Sequence, residues 1–314
     1  MVTFRTGESS PQTYWESRAA TKSIKGHRDT QISYQMIGDK GPAIMLASGL
    51  GGRLYIWEPL LETFSGSHRL ITWDYRGIFE SDAPRRVRRL AVGNHAEDAC
   101  RVMEAEGISR AVFIGWSMGV QVSLEFSSLY PDRVDKLVLI NGTHGHAFST
   151  GLQPLFRIPW LQKILHEGID WLLPRKDLQN LLASLGTSTL NREIIGGGYA
   201  RLRRQPRIKA LYSQYMEDIF GTDFGNYLRL FQELDAHSVY HLLRNINHET
   251  LIISGLLDFL TPAYQSREMC RKLPNSRHIC IAGGTHFVLV EYPDEVAERI
   301  AEFLSRKPED NHDV

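Results

Sequence analysis

The chain has 314 residues, with 36 basic and 36 acidic side chains, so its formal net charge at pH 7 is zero. Such a balance excludes the strong overall field that steers nucleic acids or highly acidic partners toward a protein. Cysteines are few, and Cys100, Cys270 and Cys280 have neither metal-ligand spacing nor a disulfide framework, which is typical of a reducing compartment.

The sequence shows no targeting or membrane-spanning segment. Residues 1–22 are polar and lack the apolar stretch of a signal peptide, so we expect a loosely attached extension there. No apolar run is long enough to cross a bilayer. We therefore expect a soluble, cytoplasmic protein with a charged tail at 307–314.

The first half of the chain alternates short apolar runs with helical patterns. Strands are predicted at Gln31–Ile37, Ala43–Ala47, Arg69–Trp73, 111–114 and 136–140, and helices at 57–64, 94–106 and 120–130. Continuous apolar strands separated by helices indicate a mostly parallel sheet that is covered on both faces. The predicted fold class is therefore α/β with a doubly wound sheet.

From 145 to 247 the strand signals stop, and amphipathic helical patterns replace them, for example at 160–173 and 177–185. This stretch is too long for a structureless loop, so we interpret it as an inserted helical cap. Strands return at 250–254 and 276–282, followed by a helix at 294–304. The α/β core is thus expected to comprise 23–144 and 248–306.

One motif lies between a predicted strand and a predicted helix, namely Gly115-Trp116-Ser117-Met118-Gly119. A serine on a tight strand-to-helix turn is held at the edge of the sheet with its hydroxyl exposed. The glycines let strand and helix approach closely, and the N–H groups at the start of the helix point to where negative charge would develop. Ser117 is therefore predicted to be a nucleophile.

A nucleophilic serine needs a base, and the base needs an orienting carboxylate. Asp258 follows the strand at 250–254, and His286 follows the strand at 276–282. Because the carboxyl ends of parallel strands meet at one edge of a sheet, Ser117, Asp258 and His286 are expected to converge. The order Ser, Asp, His is that of one hydrolase fold and differs from the chymotrypsin and subtilisin orders.

Alternative interpretations apply to some of these positions. The alternative acid position after the preceding strand holds Asn141 and no acid, so Asp258 is the predicted acid, although Asp258 can also serve to cap a helix that starts near Pro262. The histidines His95, His144 and His146 are expected to be structural or to line a pocket.

Taken in order, these residues resemble the α/β-hydrolase fold superfamily, in its serine-nucleophile branch with a helical cap. The resemblance extends from about residue 23 to 304 and covers the loop at Gly49, Asp74-Tyr75-Arg76-Gly77 with Ser81-Asp82, the Ser117 turn, Asp258 and His286. It implies that the backbone N–H groups of Leu50 and Met118 form an oxyanion hole and that no metal or organic cofactor is needed. Residues that can border the pocket are Ser48, Gly49, Trp116 and Phe287.

The chain departs from the usual pattern of this family at two positions. Ser48 stands where many relatives have histidine before the loop glycine. Phe79 replaces the second glycine that usually follows the Asp-x-Arg-Gly block. The serine leaves the backbone N–H donors of the oxyanion hole in place. The phenylalanine affects the shape of its own loop.

The resemblance implies hydrolysis of a carboxylic ester or related acyl bond in a small-molecule substrate through an acyl-serine intermediate. A carbon–carbon bond hydrolase of dienoic ketoacids has the same plan, and lactonase, thioesterase, acyltransferase and haloperoxidase-like activities also fit it. Serine at position 117 disfavours the haloalkane dehalogenase and epoxide hydrolase branches, which use aspartate. The non-enzymatic alternative is a receptor-like member of the fold that binds a ligand.

Two surface features remain to be explained. The arginine clusters at 85–89 and 201–204 are interpreted as solvated surface, with contact to an anionic substrate or a lipid headgroup as the alternative. Trp160 and Trp171 are expected to pack inside the cap; an apolar substrate pocket or a lid that faces lipid is the alternative.

Overall fold

The computed structural model describes residues 11–147, 159–191, 193 and 206–306. The predicted tail and the arginine cluster at 201–204 lie outside these ranges. The described strands are β1 (Ala20–Lys25), β2 (Gln31–Ile37), β3 (Ala43–Ala47), β4 (Arg69–Trp73), β5 (Ala111–Trp116), β6 (Val134–Ile140), β7 (Thr250–Gly255) and β8 (Ser276–Ile281). They form one sheet in the order β1-β2-β4-β3-β5-β6-β7-β8.

Most of the sheet is parallel. Strands β3 to β8 all run in the same direction, whereas β2 pairs antiparallel with both β1 and β4. The register places Ala47 beside Gly115, and Ile140 beside both Trp116 and Ile253. The carboxyl ends of these strands therefore share one edge of the sheet, as the sequence predicts.

Helices cover both faces of the sheet. They are α1 (Pro11–Glu16), α2 (Glu58–Phe64), α3 (Val92–Ala105), α4 (Met118–Leu129), α5 (Pro159–Leu172), α6 (Lys176–Gly186), α7 (Pro206–Gly221), α8 (Phe224–Ala236), α9 (Ala263–Lys272), α10 (Val288–Glu291) and α11 (Pro293–Ser305). Alternate strand residues face opposite sides, so Met45 packs with α3 and α4 while Ile44 and Leu46 pack with α2 and α11. The predicted doubly wound α/β fold is confirmed.

The first strand, β1, is not predicted by the sequence. Most of its residues are polar and exposed, so they show no hydrophobic alternation; backbone pairing with β2, the ion pair of Lys22 with Glu106 and the packing of Ile24 hold the strand in the sheet. The predicted boundary at residue 22 falls inside this strand. Trp15 of α1, only 7% exposed, anchors the segment before it.

A buried ion pair ties the loop after β4 to the hairpin between β1 and β2. Arg76 and Asp98 are both fully buried, and the Arg76 guanidinium donates to both carboxylate oxygens at 2.5 and 2.6 Å. The same guanidinium donates to the His27 carbonyl oxygen and to the Thr30 hydroxyl. With both charges paired and hydrogen-bonded, the cost of burying them is offset, and the hairpin is fixed against the sheet.

The helices α5 to α8 are inserted between β6 and β7, where the sequence predicts a helical cap. The expectation that Trp160 and Trp171 are packed inside is wrong, because they are 60% and 54% exposed. The opposite face of α5, which includes Leu161 and Leu165, is the one that is partly buried. No helix in the described ranges is long and apolar enough to span a membrane.

Candidate active site

Ser117 lies in the turn between β5 and α4, with φ +56° and ψ −116°. Positive φ strains a non-glycine residue and is held only where the surroundings fix it. A Cβ atom on Gly115 would lie 2.3 Å from the Gly119 carbonyl oxygen, and one on Gly119 would lie 1.8 Å from the Ala47 carbonyl oxygen. The turn therefore requires glycine on both sides of Ser117.

Ser117, His286 and Asp258 are brought together at the edge of the sheet. His286 Nε2 lies 2.9 Å from Ser117 Oγ, and His286 Nδ1 lies 2.9 Å from Asp258 Oδ2. An ionised carboxylate can only accept a hydrogen bond, so Nδ1 carries the ring proton and Nε2 accepts from the serine hydroxyl. His286 is 8% exposed and Asp258 3% exposed, so little water competes for these bonds.

The turn after β7 fixes the carboxylate of Asp258. Its Oδ1 accepts the backbone N–H groups of Leu260 and Thr261, both at 2.9 Å, and its Oδ2 accepts the Thr261 hydroxyl at 2.7 Å. Asp258 does not cap α9, whose first turn receives no side-chain cap, because its bonds go to residues before the helix; it also contacts His286. Four hydrogen bonds hold the carboxylate in one orientation.

The glycine-rich turn after β3 passes directly against Ser117. A Cβ atom on Gly49 would lie 2.6 Å from the Trp116 indole and 3.1 Å from Ser117 Cβ. Leu50 follows in this turn, and Met118 begins α4. In the described part of the chain, neither the Leu50 N–H nor the Met118 N–H donates to a protein acceptor. Both donors are available to a bound group.

Tyr215 of the inserted helix α7 joins the site, although the sequence gives no sign of it. Its hydroxyl donates to the Leu50 carbonyl oxygen at 2.7 Å. Its ring centroid lies 6.2 Å from that of Trp116 and 5.4 Å from that of Phe287. The insertion therefore contacts the same turn that presents the Leu50 N–H.

Asn141, the alternative acid position, connects the loops that carry Asp258 and His286. Its Nδ2 donates to the Thr285 carbonyl oxygen at 2.6 Å, and its Oδ1 accepts the Gly255 N–H at 2.8 Å. The side chain is fully buried. Asn141 is thus a bridge between the two loops.

Two further side chains fix the loop of His286. The Trp116 indole N–H donates to the His286 carbonyl oxygen at 3.0 Å. The Glu291 carboxylate accepts the Thr285 N–H at 2.7 Å and the Thr285 hydroxyl at 2.9 Å. Burial raises the pKa of the Glu291 carboxyl from 4.5 to about 7, and the hydrogen bond from the Thr285 N–H opposes that rise.

The residues expected to border the pocket have different surroundings. Ser48 is 3% exposed, and its hydroxyl accepts the Trp57 indole N–H at 2.9 Å, so it supports the loop from inside. Phe287 lines a narrow apolar cavity next to His286. The other lining residues are Ile56, Ile208, Leu211, Tyr212, Tyr215, Val290 and Glu291.

Phe79 takes the backbone conformation of the glycine that it replaces, with φ +54°. Its N–H donates to the Thr222 hydroxyl of the insertion at 2.9 Å, and the Arg53 guanidinium lies 5.0 Å from its ring centroid. These contacts hold a conformation that is strained for a phenylalanine. The departure from the family pattern therefore adds contacts to the insertion and leaves the turn intact.

The other histidines lie away from Ser117. His95 is fully buried against the Leu90 carbonyl oxygen, and burial lowers its pKa to about 3. His146 lies against the Asp235 carbonyl oxygen, and His144 packs on Tyr240. Within the described ranges, no group of three or more His, Cys, Asp or Glu side chains is arranged to hold a metal ion.

Comparison with known proteins identifies the family. The profile of the alpha/beta hydrolase fold matches residues 42–293, which is most of the chain. The chain belongs to the α/β-hydrolase fold family. Serine, histidine and aspartate at the ends of strands β5, β8 and β7 are consistent with that membership.

Curated relatives and solved structures agree with this assignment. The chain is 26% identical to "Putative carbamate hydrolase RutD" of Caulobacter segnis, over 83% of this chain and 90% of that protein. It is also 26% identical to the poly(3-hydroxyalkanoate) depolymerase of Ectopseudomonas oleovorans, over 84% of each. The enol-lactonase of Burkholderia xenovorans LB400 shares the fold with a TM-score of 0.68 and 21% identity, over 91% of this chain and all of that one. The family and these names support hydrolase activity.

Proposed function

We propose that the protein is a serine hydrolase that cleaves a carboxylic ester or related acyl bond through an acyl-serine intermediate. The observation that carries the proposal is the continuous hydrogen-bonded chain from Ser117 Oγ through both His286 nitrogens to Asp258. This arrangement lets the histidine accept the serine proton as the hydroxyl attacks, while the carboxylate stabilises the resulting imidazolium.

The reaction then follows in two halves. Ser117 Oγ adds to the acyl carbonyl, its proton passes to His286 Nε2, and His286 returns that proton to the leaving group as the carbonyl re-forms. Water, deprotonated by the same nitrogen, attacks the acyl-serine and releases the acid. The N–H groups of Leu50 and Met118 stabilise the oxyanion in both halves, and each such donor contributes on the order of 10²–10³ in kcat.

The cavity beside His286 supports an uncharged, apolar acyl group. Its lining is formed by aliphatic and aromatic side chains with one carboxyl, that of Glu291, and none of the lining residues is a lysine or arginine that would pair with a carboxylate substrate. This favours an ester over the dienoic ketoacids of carbon–carbon bond hydrolases. The relatives that carry the names carbamate hydrolase and poly(3-hydroxyalkanoate) depolymerase make a carbamate and a hydroxyalkanoate ester worth including as substrates.

The proposal is tested by turnover of p-nitrophenyl esters with acyl chains of two to sixteen carbons, beside a p-nitrophenyl carbamate. We expect saturable ester hydrolysis with a clear optimum of chain length. Folded protein that hydrolyses no member of the panel, and is not labelled by a fluorophosphonate, would contradict an enzymatic role and favour the receptor-like alternative.

Loss of the Tyr215 hydroxyl is expected to slow the reaction without blocking binding. The Tyr215→Phe variant keeps the ring against Phe287 but removes the hydrogen bond to the Leu50 carbonyl oxygen. With a hydrogen bond of about 1 kcal/mol removed from the oxyanion turn, we expect kcat to fall about 3- to 10-fold with little change in KM. Tyr212→Phe, on the same helix and lining the same cavity, is the control and is expected to keep its kcat.

Asn141→Asp replaces the bridging amide by a carboxylate of the same shape. One oxygen can still accept the Gly255 N–H, but the other meets the Thr285 carbonyl oxygen without a proton between them. An unmade buried hydrogen bond costs about 1–3 kcal/mol, so we expect a lower Tm and a kcat reduced roughly tenfold or more, with KM less affected. An unchanged kcat in a folded variant would show that the bridge does not position His286.

The stability of the protein is expected to fall with rising pH through the titration of Glu291. Its pKa is raised in the native state, so the native protein binds more protons than the unfolded chain between about pH 4.5 and 7. The free energy of unfolding therefore decreases as pH rises through this window. In urea unfolding at pH 5 and pH 7.5, Glu291→Gln should reduce this decrease, whereas Glu298→Gln, exposed on α11, should leave it as in the wild type. Equal pH slopes in all three proteins would exclude Glu291 as the cause.

A further inference from the structure

A second cavity, which Ser117 does not line, is formed entirely by arginine. Its lining residues are Arg28, Arg86, Arg88 and Arg89. Arg85 borders an adjoining depression together with Arg28 and Arg89. The cluster at 85–89 that the sequence singles out thus meets a fifth arginine from the hairpin between β1 and β2.

These arginines lack charge partners. In the described part of the chain, none of them lies within 4.0 Å of a carboxylate oxygen, although Asp29 and Asp82 border the adjoining depression. Arg89 Nε is shielded from solvent and has no hydrogen-bond partner among the described residues. Arg76, which lies under the same hairpin, differs from these arginines because it is fully paired with Asp98. A group of positive charges without counter-charges favours the binding of an anion from solution.

The segments that carry the arginines are held by their backbones. Arg28 has φ +58°, and the residues on either side of it are fixed by Arg76 through the His27 carbonyl oxygen and the Thr30 hydroxyl. The 3₁₀ turn Val87–Leu90 is anchored by the buried Leu90 side chain. Arg89 Nη1 donates to the Arg28 carbonyl oxygen at 3.5 Å and so joins the two segments. The two segments that carry the arginines are therefore held next to each other.

The cavity lies at the same edge of the sheet as Ser117. β2 starts just after Arg28 and runs antiparallel to β4, so the start of β2 lies at the carboxyl end of the parallel strands. Three to four strand spacings separate the hairpin from β5, or roughly 15–20 Å. The cluster is thus beside the proposed active site but separate from it.

We propose that this cavity binds a ligand that carries one or more phosphate groups. Guanidinium groups bind phosphate oxygens through paired, charge-assisted hydrogen bonds, and a cluster of several arginines offers more than one such pair of donors to the same group. The same chemistry is offered by a free phosphorylated compound and by the headgroup of an anionic phospholipid.

Binding to both sources tests the proposal with the full chain. Titration calorimetry with inorganic pyrophosphate measures the free compound, and sedimentation with phosphatidylglycerol–phosphatidylcholine vesicles, against pure phosphatidylcholine, measures the headgroup. The test variant is Arg86→Gln/Arg88→Gln, which changes exposed side chains. The control is Arg101→Gln/Arg299→Gln, which removes the same charge from exposed arginines that pair with Glu104 and Glu302.

We expect the wild type to bind at least one of the two probes, with an affinity that falls as salt is added and that drops tenfold or more in the test variant. The control variant should stay within twofold of the wild type. Binding of pyrophosphate identifies a soluble ligand, and binding of anionic vesicles alone identifies a headgroup. Binding of neither probe, or equal loss in both variants, overturns the proposal. Ester turnover is expected to be the same in all three proteins, so failure here is distinct from failure of the proposed hydrolase activity.

Discussion

Ser117→Ala is expected to abolish ester turnover and covalent labelling by a fluorophosphonate. The methyl group keeps the turn intact but removes the hydroxyl that lies 2.9 Å from His286 Nε2 and that is proposed to form the acyl-enzyme. Loss of the nucleophile in a serine–histidine–aspartate site lowers kcat by on the order of 10⁴–10⁶. Assays with p-nitrophenyl esters measure the turnover, and mass spectrometry of the protein measures the covalent labelling.

The matched control is Ser123→Ala, a buried serine one and a half turns further along α4. Its hydroxyl has no hydrogen-bond partner among the described residues, so its loss should leave turnover and labelling intact. Comparison of the two Tm values separates loss of chemistry from loss of fold. Labelling that persists in Ser117→Ala, or disappears in Ser123→Ala, would reject Ser117 as the nucleophile.

Asp258→Asn is expected to reduce kcat by about 10³- to 10⁴-fold while the protein remains folded. An amide in place of the carboxylate can still accept the Leu260 and Thr261 N–H groups through its oxygen. Its NH₂ group then faces His286 Nδ1 and favours the tautomer with the proton on Nε2. A histidine in that tautomer cannot accept the serine proton, so the loss falls on kcat and not on KM.

Asp135→Asn controls for the loss of one negative charge. Asp135 pairs with Arg110 at the surface, with 42% of its side chain exposed, and is expected to keep full activity. Since the effect of Asp258→Asn acts through the histidine, combining it with His286→Ala should add little to the loss in His286→Ala alone. Additive losses would show that Asp258 and His286 act separately.

The sheet was largely predictable because its strands are buried on both faces. β3 and β4 match their predicted bounds residue for residue, since apolar runs between turns mark such strands clearly. β1 was not predictable, because this exposed edge strand is mostly polar and lacks the apolar alternation that marks a strand in sequence. The exposed face of α5 was misjudged for a related reason: an amphipathic pattern shows that a face is apolar, but not whether a neighbour covers it.

The convergence of Ser117, Asp258 and His286 was predictable from strand topology, because each follows a strand that ends at the same edge. Tyr215 and Asn141 follow from no motif. Tyr215 meets the Leu50 carbonyl oxygen across 165 positions, and Asn141 reaches Thr285 across 144. Such contacts depend on how separate elements pack, so the residues that support a site are less visible in sequence than those that react.

Through the hydrogen bond from Tyr215 to Leu50, the insertion has two proposed roles, one in substrate binding and one in catalysis. Helix α7 of the insertion lines the proposed substrate cavity, and Tyr215 on the same helix also donates to the turn that carries a proposed oxyanion donor. A chimaera that received another relative's insertion would change its substrate range and its rate constant together. Grafting experiments that seek new substrates should therefore retain a hydroxyl at position 215. Without that hydroxyl, a lower rate constant caused by the lost hydrogen bond would be mistaken for poor substrate binding.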